Sequence, residues 1–318
     1  MSTAPRRSPH VFSIAAGLPF LPTFVDALMR GEIVPGFPDH DPLSLAGATI
    51  FLPTRRAARA LSALLAERAA GSTRLLPRII PLGDIDDAEI GLGDVEFTTT
   101  LDKGALPPSI GNTARRLILS RLVLAFARSV DRGALRLSPD EALLVPSSPA
   151  DAFALAGDLG RLMDALTAED VDWARLGGLV EERYDRYYSV TLDFLKIAAE
   201  AWPGVLEERG LLDPVVRRDL VLRAEAKRLL EDKPSAPMIA AGSTGSLPAT
   251  ARLLSAISRL PNGAVVLPDL DHELDDRAWQ AIGRGAEDDG AAHGHPQAVL
   301  HRLLAEIGID RTAVTPLG

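Results

Sequence analysis

Apolar positions in the first third of the chain recur in two rhythms. His10–Ala15 (HVFSIA) is a short apolar run followed by a Gly/Pro turn, which predicts a strand and then a short helix over Thr23–Met29. Ala48–Leu52 (ATIFL) is a continuous apolar run, the mark of a parallel strand covered on both faces. Thr54 is placed to cap a helix running to about Ala70, with Ala57, Ala60, Leu61, Leu64 and Leu65 at helical spacing. Leu75–Leu82 (LLPRIIPL) reads as a third extended segment, and its two prolines place it at a strand end or sheet edge. Such a β-α-β-α-β start predicts a parallel sheet joined by right-handed crossovers.

From Asn112 to about Asp232 the rhythm becomes helical throughout, with segments over Thr113–Ser129, Asp151–Leu166, Glu182–Ala201 and Pro214–Leu230. The strand rhythm then returns at Pro237–Ala241 (PMIAA) and Ala264–Leu267 (AVVL), on either side of a helix over Pro248–Arg259 with Pro at its first turn. A polar loop holding Gly283, Gly285, Gly290 and Gly294 is expected before a last helix over Pro296–Ile307. The expected organisation is an α/β core in two pieces, 1–111 and 233–318, with an all-helical subdomain, 112–232, inserted between them. No element is expected at Thr315–Gly318, which suggests a piece of a longer protein.

Composition narrows the class. A chain of 318 residues with 47% hydrophobic and 24% charged residues has the make-up of a core-forming protein. Zero cysteines exclude disulfide scaffolds, zinc ribbons, iron–sulfur clusters and thiol nucleophiles, and suit a reducing cytoplasm. No apolar stretch approaches the length of a membrane span. The expectation is a cytoplasmic protein.

The first strand-turn-helix stands where a nucleotide-binding protein carries its phosphate loop. That loop needs G-x-x-x-x-G-K-[ST], because backbone N–H groups cradle the phosphates, the Lys reaches them and the hydroxyl holds Mg²⁺. Here the run is Ala15-Ala16-Gly17-Leu18-Pro19-Phe20-Leu21-Pro22-Thr23, without the Lys or the second Gly. Pro19 and Pro22 bring no N–H donor. Ala16, Gly17 and Thr23 thus mark a degenerate loop. The strand Pro237–Ala241 ends in Gly242-Ser243-Thr244-Gly245-Ser246 with no acid for Mg²⁺ or water. The acid-rich run after Val266 reads as a solvated loop in preference to a metal site. Glu225-Ala226-Lys227 and Glu231-Asp232-Lys233 match a nuclease's Glu-x-Lys, but they fall in or at the end of a helix instead of on a strand.

Net charge is −9, yet it is unevenly spread. Thr54–Arg78 holds six arginines and one acid, and Asn112–Arg136 holds the same, so each carries +5. Asp269–Asp289 carries −6. Local basic segments can bind a phosphate backbone on an acidic chain, although solvated helix faces are an equal reading of them.

Four blocks resemble the AddB family, the non-motor partner subunits of helicase–nuclease complexes that process double-strand breaks. They are VFSIAAGLPFLPTFVDA (11–27), ATIFLPTRRAARALSALLAER (48–68), LLPRIIPLGD (75–84) and PMIAAGSTGSLPATARLLSAISRLPNGAVVLPDLD (237–271). The GSTGSLP block is also similar to that of RecC. The resemblance runs nearly end to end, with the helical middle matching in pattern more than in motif. It implies an inactivated superfamily-1 helicase-like core of RecA, P-loop-NTPase type, with 112–232 as its inserted 1B-like subdomain. It also implies an N-terminal portion only, since the family's second core and nuclease domain lie beyond position 318.

By resemblance, Leu52–Ala58 stands at helicase motif Ia, where Thr54, Arg55 and Arg56 would meet the backbone of a single strand. Ser243 and Thr244 stand in a motif-III-like loop, whose hydroxyls would touch DNA or brace the core. The implied partners are the AddA motor subunit and single- and double-stranded DNA ends, with no membrane. No cofactor is implied for this segment, since ATP and Mg²⁺ serve the complex and the nuclease metal site lies outside it. The alternatives are a protein-interaction scaffold that never touches DNA and a stand-alone P-loop ATPase.

Overall fold

The computed structural model describes residues 9–39, 41, 43–68, 75–84, 106–129, 148–173, 175, 185–288 and 294–318. Arg74, Arg132, Arg136, Asp289, Gly290 and His293 lie outside the described residues. The chain divides into two compact units, Met1–Val95 with Leu220–Gly318, and Glu96–Asp219.

The first unit is built on six strands: β1 (Val11–Ile14), β2 (Thr49–Leu52), β3 (Arg78–Pro81), β4 (Met238–Ala241), β5 (Gly263–Pro268) and β6 (Thr315–Leu317). They form one sheet in the order β3-β2-β4-β5-β1-β6, and every pairing is parallel. This is the architecture of a RecA-like parallel α/β fold. The register sets Ile14 opposite Pro268 and Leu317, and Phe51 opposite Ile80 and Ala240. Proline-containing β3 is an edge strand, as its missing N–H donors require. At Thr315–Leu317 the structure departs from expectation: these residues close the opposite edge against β1, although Pro316 broke the sequence signal.

Alternation along the strands divides the core. Ile14, Ile50, Leu52, Ile239, Ala241, Ala264 and Val266 join one cluster with α1 (Phe20–Met29) and α2 (Arg55–Arg68). Side chains in between, such as Phe51, Ala240 and Val265, are buried on the other face, where α8 (Pro248–Ser258) packs on β4 and β5. Helix α1 begins three residues before the expected Thr23, because a proline in the first turn removes no intrahelical bond.

Helices α9 (Asp276–Asp288) and α10 (Ala298–Ile307) complete this unit. Helix α9 replaces the loop expected around Gly283. Asp275 caps it, accepting the Ala278 N–H at 2.8 Å, and Trp279 and Ile282 bury an apolar stripe three residues apart. Gly283 is needed there: a Cβ would lie 2.3 Å from the His301 ring.

The second unit contains α3 (Asn112–Ser129), α4 (Pro149–Ala168), α5 (Asp185–Lys196), a π-helical turn (Ile197–Ala201), α6 (Trp202–Arg209) and the start of α7 (Pro214–Asp232), which continues into the first unit. Its core joins Leu119 and Val123 of α3, Ala156, Leu159 and Met163 of α4, and Ile197, Trp202 and Leu206. Ser148 and Asp151 form a reciprocal capping box at the start of α4.

Candidate functional site

Because all six strands run the same way, the loops after them gather at one edge, the usual ligand edge of an open parallel sheet. The loop after β1 is closed on itself. The Leu18 N–H donates to Ala15 O at 3.0 Å, and the Thr23 N–H donates to Pro19 O at 3.0 Å. Pro19 and Pro22 have no donor to offer. Ala16 and Gly17 are exposed and Thr23 is half-buried, with Leu18 projecting at 41% exposure. A tight turn entering a helix at Phe20 thus replaces the open ring of N–H groups that a triphosphate requires.

After β2, Thr54 caps α2: its Oγ1 accepts the Ala57 N–H at 3.1 Å and its carbonyl accepts the Ala58 N–H at 3.0 Å. The cap leaves the Thr54 side chain and Arg56 exposed, with Arg55 half-buried between them and Arg59 exposed one turn on. Arg68, at the far end of α2, pairs with Asp26.

Strand β4 lies beside β2, so the Gly242–Ser246 loop shares this part of the edge. Gly242 and Gly245 adopt φ of +74° and +61°. A Cβ on Gly242 would lie 3.1 Å from the Phe20 ring, and one on Gly245 would lie 2.8 Å from Leu303. Ser243 is buried and its hydroxyl accepts the Gly245 N–H at 3.4 Å, so it braces the loop. Thr244 is half-buried and Ser246 exposed. The two hydroxyls read together from sequence therefore occupy different settings.

The acidic run after β5 is a structured corner. Asp269 takes the left-handed conformation at φ +56° and donates its N–H to Ile14 O at 2.9 Å. The Asp271 carboxylate accepts the Glu273 and Leu274 N–H groups at 2.8 and 2.9 Å. Gln297 holds both sides of this turn, donating to Asp269 O at 2.9 Å and accepting the Asp271 N–H at 3.1 Å. Buried Arg311 donates to Asp271 O at 3.1 Å, pairs with Asp276 at 3.0 Å, and lies over the Trp279 ring. Neither Gln297 nor Arg311 carries a local sequence signal, since each acts on residues far away in the chain. His272 Nε2 and Ser13 Oγ lie 2.7 Å apart. Among the described residues, no group of three or more His, Asp or Glu is placed to hold a metal ion. Glu225, from one Glu-x-Lys match, is buried in a two-pronged ion pair with Arg228 at 2.7 and 2.8 Å.

The helical unit corrects the charge reading of Asn112–Arg136. Arg115 is buried, with Nη2 2.8 Å from Asp164 and Nε 2.9 Å from Asp213. The Nε contact is a close approach of charges without hydrogen-bond alignment. Asp213 also accepts the Trp202 Nε1–H at 3.0 Å, and burial pushes its carboxyl above the usual range against the pull of Arg115. Arg116 stacks at 4.0 Å on Phe153 while donating to its carbonyl at 3.1 Å. Arg121 and Arg128 remain exposed.

No protein-family model and no curated protein sequence matches this chain. Among the described residues, no helix is long and apolar enough to cross a membrane.

Proposed function

We propose that the chain is a non-motor, DNA-contacting helicase-like region of an AddB-type subunit, acting beside an AddA-type motor in the processing of double-strand breaks. One observation at the sheet edge carries the reading. The β1 loop is a tight Ala15–Leu18 turn whose two prolines bring no donor, while at the same sheet edge the start of α2 presents Thr54 and exposed Arg56, with Arg55 and Arg59 beside them. A helix N-terminus with arginines at its first turn suits a phosphate backbone, and its contacts carry no base information. Thr244 and Ser246 belong to the loop after β4, the strand beside β2, and Ser243 braces that loop. Binding of this kind is backbone-dominated, weakens with salt and tolerates sequence.

The test is fluorescence anisotropy of a labelled single strand titrated with the 318-residue chain across a salt series. Arg55→Glu/Arg56→Glu is expected to weaken binding and to flatten the plot of log K against log salt by about 1.4, the loss of two single-strand phosphate contacts. Unchanged affinity and slope would replace this reading with that of a protein-interaction scaffold. The scaffold reading draws on the helical unit, where Arg115 is buried in ion pairs and exposed Arg116 is held against Phe153, so neither is a free basic charge.

A further inference from the structure

The helical unit contains a cavity of about 520 Å³ that the sheet-edge reading does not use. Its walls are apolar and partly aromatic, formed by Met163, Trp173, Trp202, Leu206, Leu212 and Val216. Pro203, Glu207 and Gly210 line it and are exposed, so they mark its mouth. The size is that of a small-molecule site.

Two backbone devices shape this space. Pro203 has no N–H and its ring would strike the carbonyl four residues earlier, so the helix widens ahead of it. The Trp202 N–H reaches back five residues to Ile197 O, which makes the π-helical turn and sets Ala198 and Trp202 in the cavity wall. At the other end of α6, Gly210 turns the chain in the left-handed conformation, and the Leu211 N–H bonds Leu206 O at 3.0 Å.

Charge sets the class of ligand. Among the described residues, the ionisable ones lining the cavity are two acids, Glu207 at the mouth and buried Asp213, with no basic residue. Arg115 neutralises Asp213 only in part, because it is shared with Asp164, so with Asp213 ionised the three together carry −1. An anionic guest would meet two carboxylates. A cationic guest would meet those carboxylates and the indole side chains of Trp173 and Trp202, both favourable.

We propose that this cavity binds a small amphiphile with a flat apolar body and a protonated amine, the body between Trp173 and Trp202 and the amine toward Glu207 and Asp213. The proposal is independent of the nucleic-acid reading.

Isothermal titration of the 318-residue chain with 2-(1-naphthyl)ethylamine, and in parallel with 1-naphthaleneacetic acid, tests it. The amine is expected to bind saturably at one site and at least about tenfold more tightly than the acid, a difference of about 1.4 kcal/mol. Glu207→Gln, at an exposed position, is expected to reduce that preference about threefold without moving the melting temperature. Thr167→Trp and Val216→Trp, each filling the cavity from a half-buried position, are expected to abolish amine binding. Failure of the amine to saturate, equal binding of the acid, an unchanged preference in Glu207→Gln, or binding that survives either folded Trp variant would overturn the proposal.

Discussion

Arg115 shows at the scale of one residue what a charge count conceals. Counted in sequence it belongs to a basic helix, but folded it is the counter-charge that lets Asp213 sit in an apolar unit. Removing one partner of a buried pair leaves the other charge uncompensated, and Arg115→Met is expected to cost about 3–5 kcal/mol. Urea denaturation followed by tryptophan fluorescence checks this, and a loss below about 1 kcal/mol would show that water reaches Asp213. The raised pKa of Asp213 also fixes the sign of a pH effect. Between the ordinary carboxylate pKa, about 4, and its raised folded value, the native chain keeps a proton that the unfolded chain has lost. The stability it contributes is present below that window and declines as pH rises through it. The stability of the chain minus that of Asp213→Asn is therefore expected to fall from about pH 4 upward and level off above the folded pKa. Legibility at this scale follows distance along the chain. The Thr54 cap acts on a donor three residues away and is readable, whereas Arg115 meets partners on α4 and at the start of α7 that no local pattern names.

Among the elements, those that sequence conceals are the ones whose signals conflict. Trp202-Pro203 reads as a break, yet α6 starts there because the π-helical turn absorbs the proline. Helix α9 hides behind Gly283, a residue present so that His301 can approach, and His301, its ring centred 4.8 Å from that of Trp279, has its pKa lowered by burial. The GSTGS loop shows the opposite case, in which glycines in the sequence do mark a constrained turn. Gly245→Ala would impose a left-handed conformation on an L side chain and press its Cβ into Leu303. The expected loss is about 2–4 kcal/mol, from backbone strain and overpacking together. Thermal and urea unfolding measure it. A neutral substitution would mean that the loop can relax away from α10 and does not hold a fixed edge.

For the whole molecule, alternating apolar strands and helices made the parallel α/β class readable, and the helical rhythm from Asn112 onward made α3, α4 and α7 readable as helices. Strand order was beyond reach, because it depends on pairings such as β1 between β5 and β6 that join distant segments. The assembled edge also bears on nucleotide chemistry. The β1 loop is a tight turn, β4 leads into glycine and serine, and of the acids after β5 Asp271 and Asp275 accept nearby backbone N–H groups while Asp276 pairs with Arg311. Mg²⁺-ATP is accordingly expected to leave the melting temperature of the chain unchanged and to be turned over no faster than in buffer. Hydrolysis abolished by Gly17→Pro would contradict that expectation. The nesting of one unit within the other has a consequence in time. His10 Nδ1 meets Gly263 O across 253 positions of chain, at the start of the β1–β5 pairing. At ribosomal rates of about 5–20 residues per second, that gap corresponds to about 10–50 s of synthesis. Throughout it β1 has neither of its neighbours, while the locally connected helices of the middle unit are made and completed before it ends. The apolar VFSI strand is thus the segment longest in need of cover, and a chaperone that acts during translation would find its substrate there.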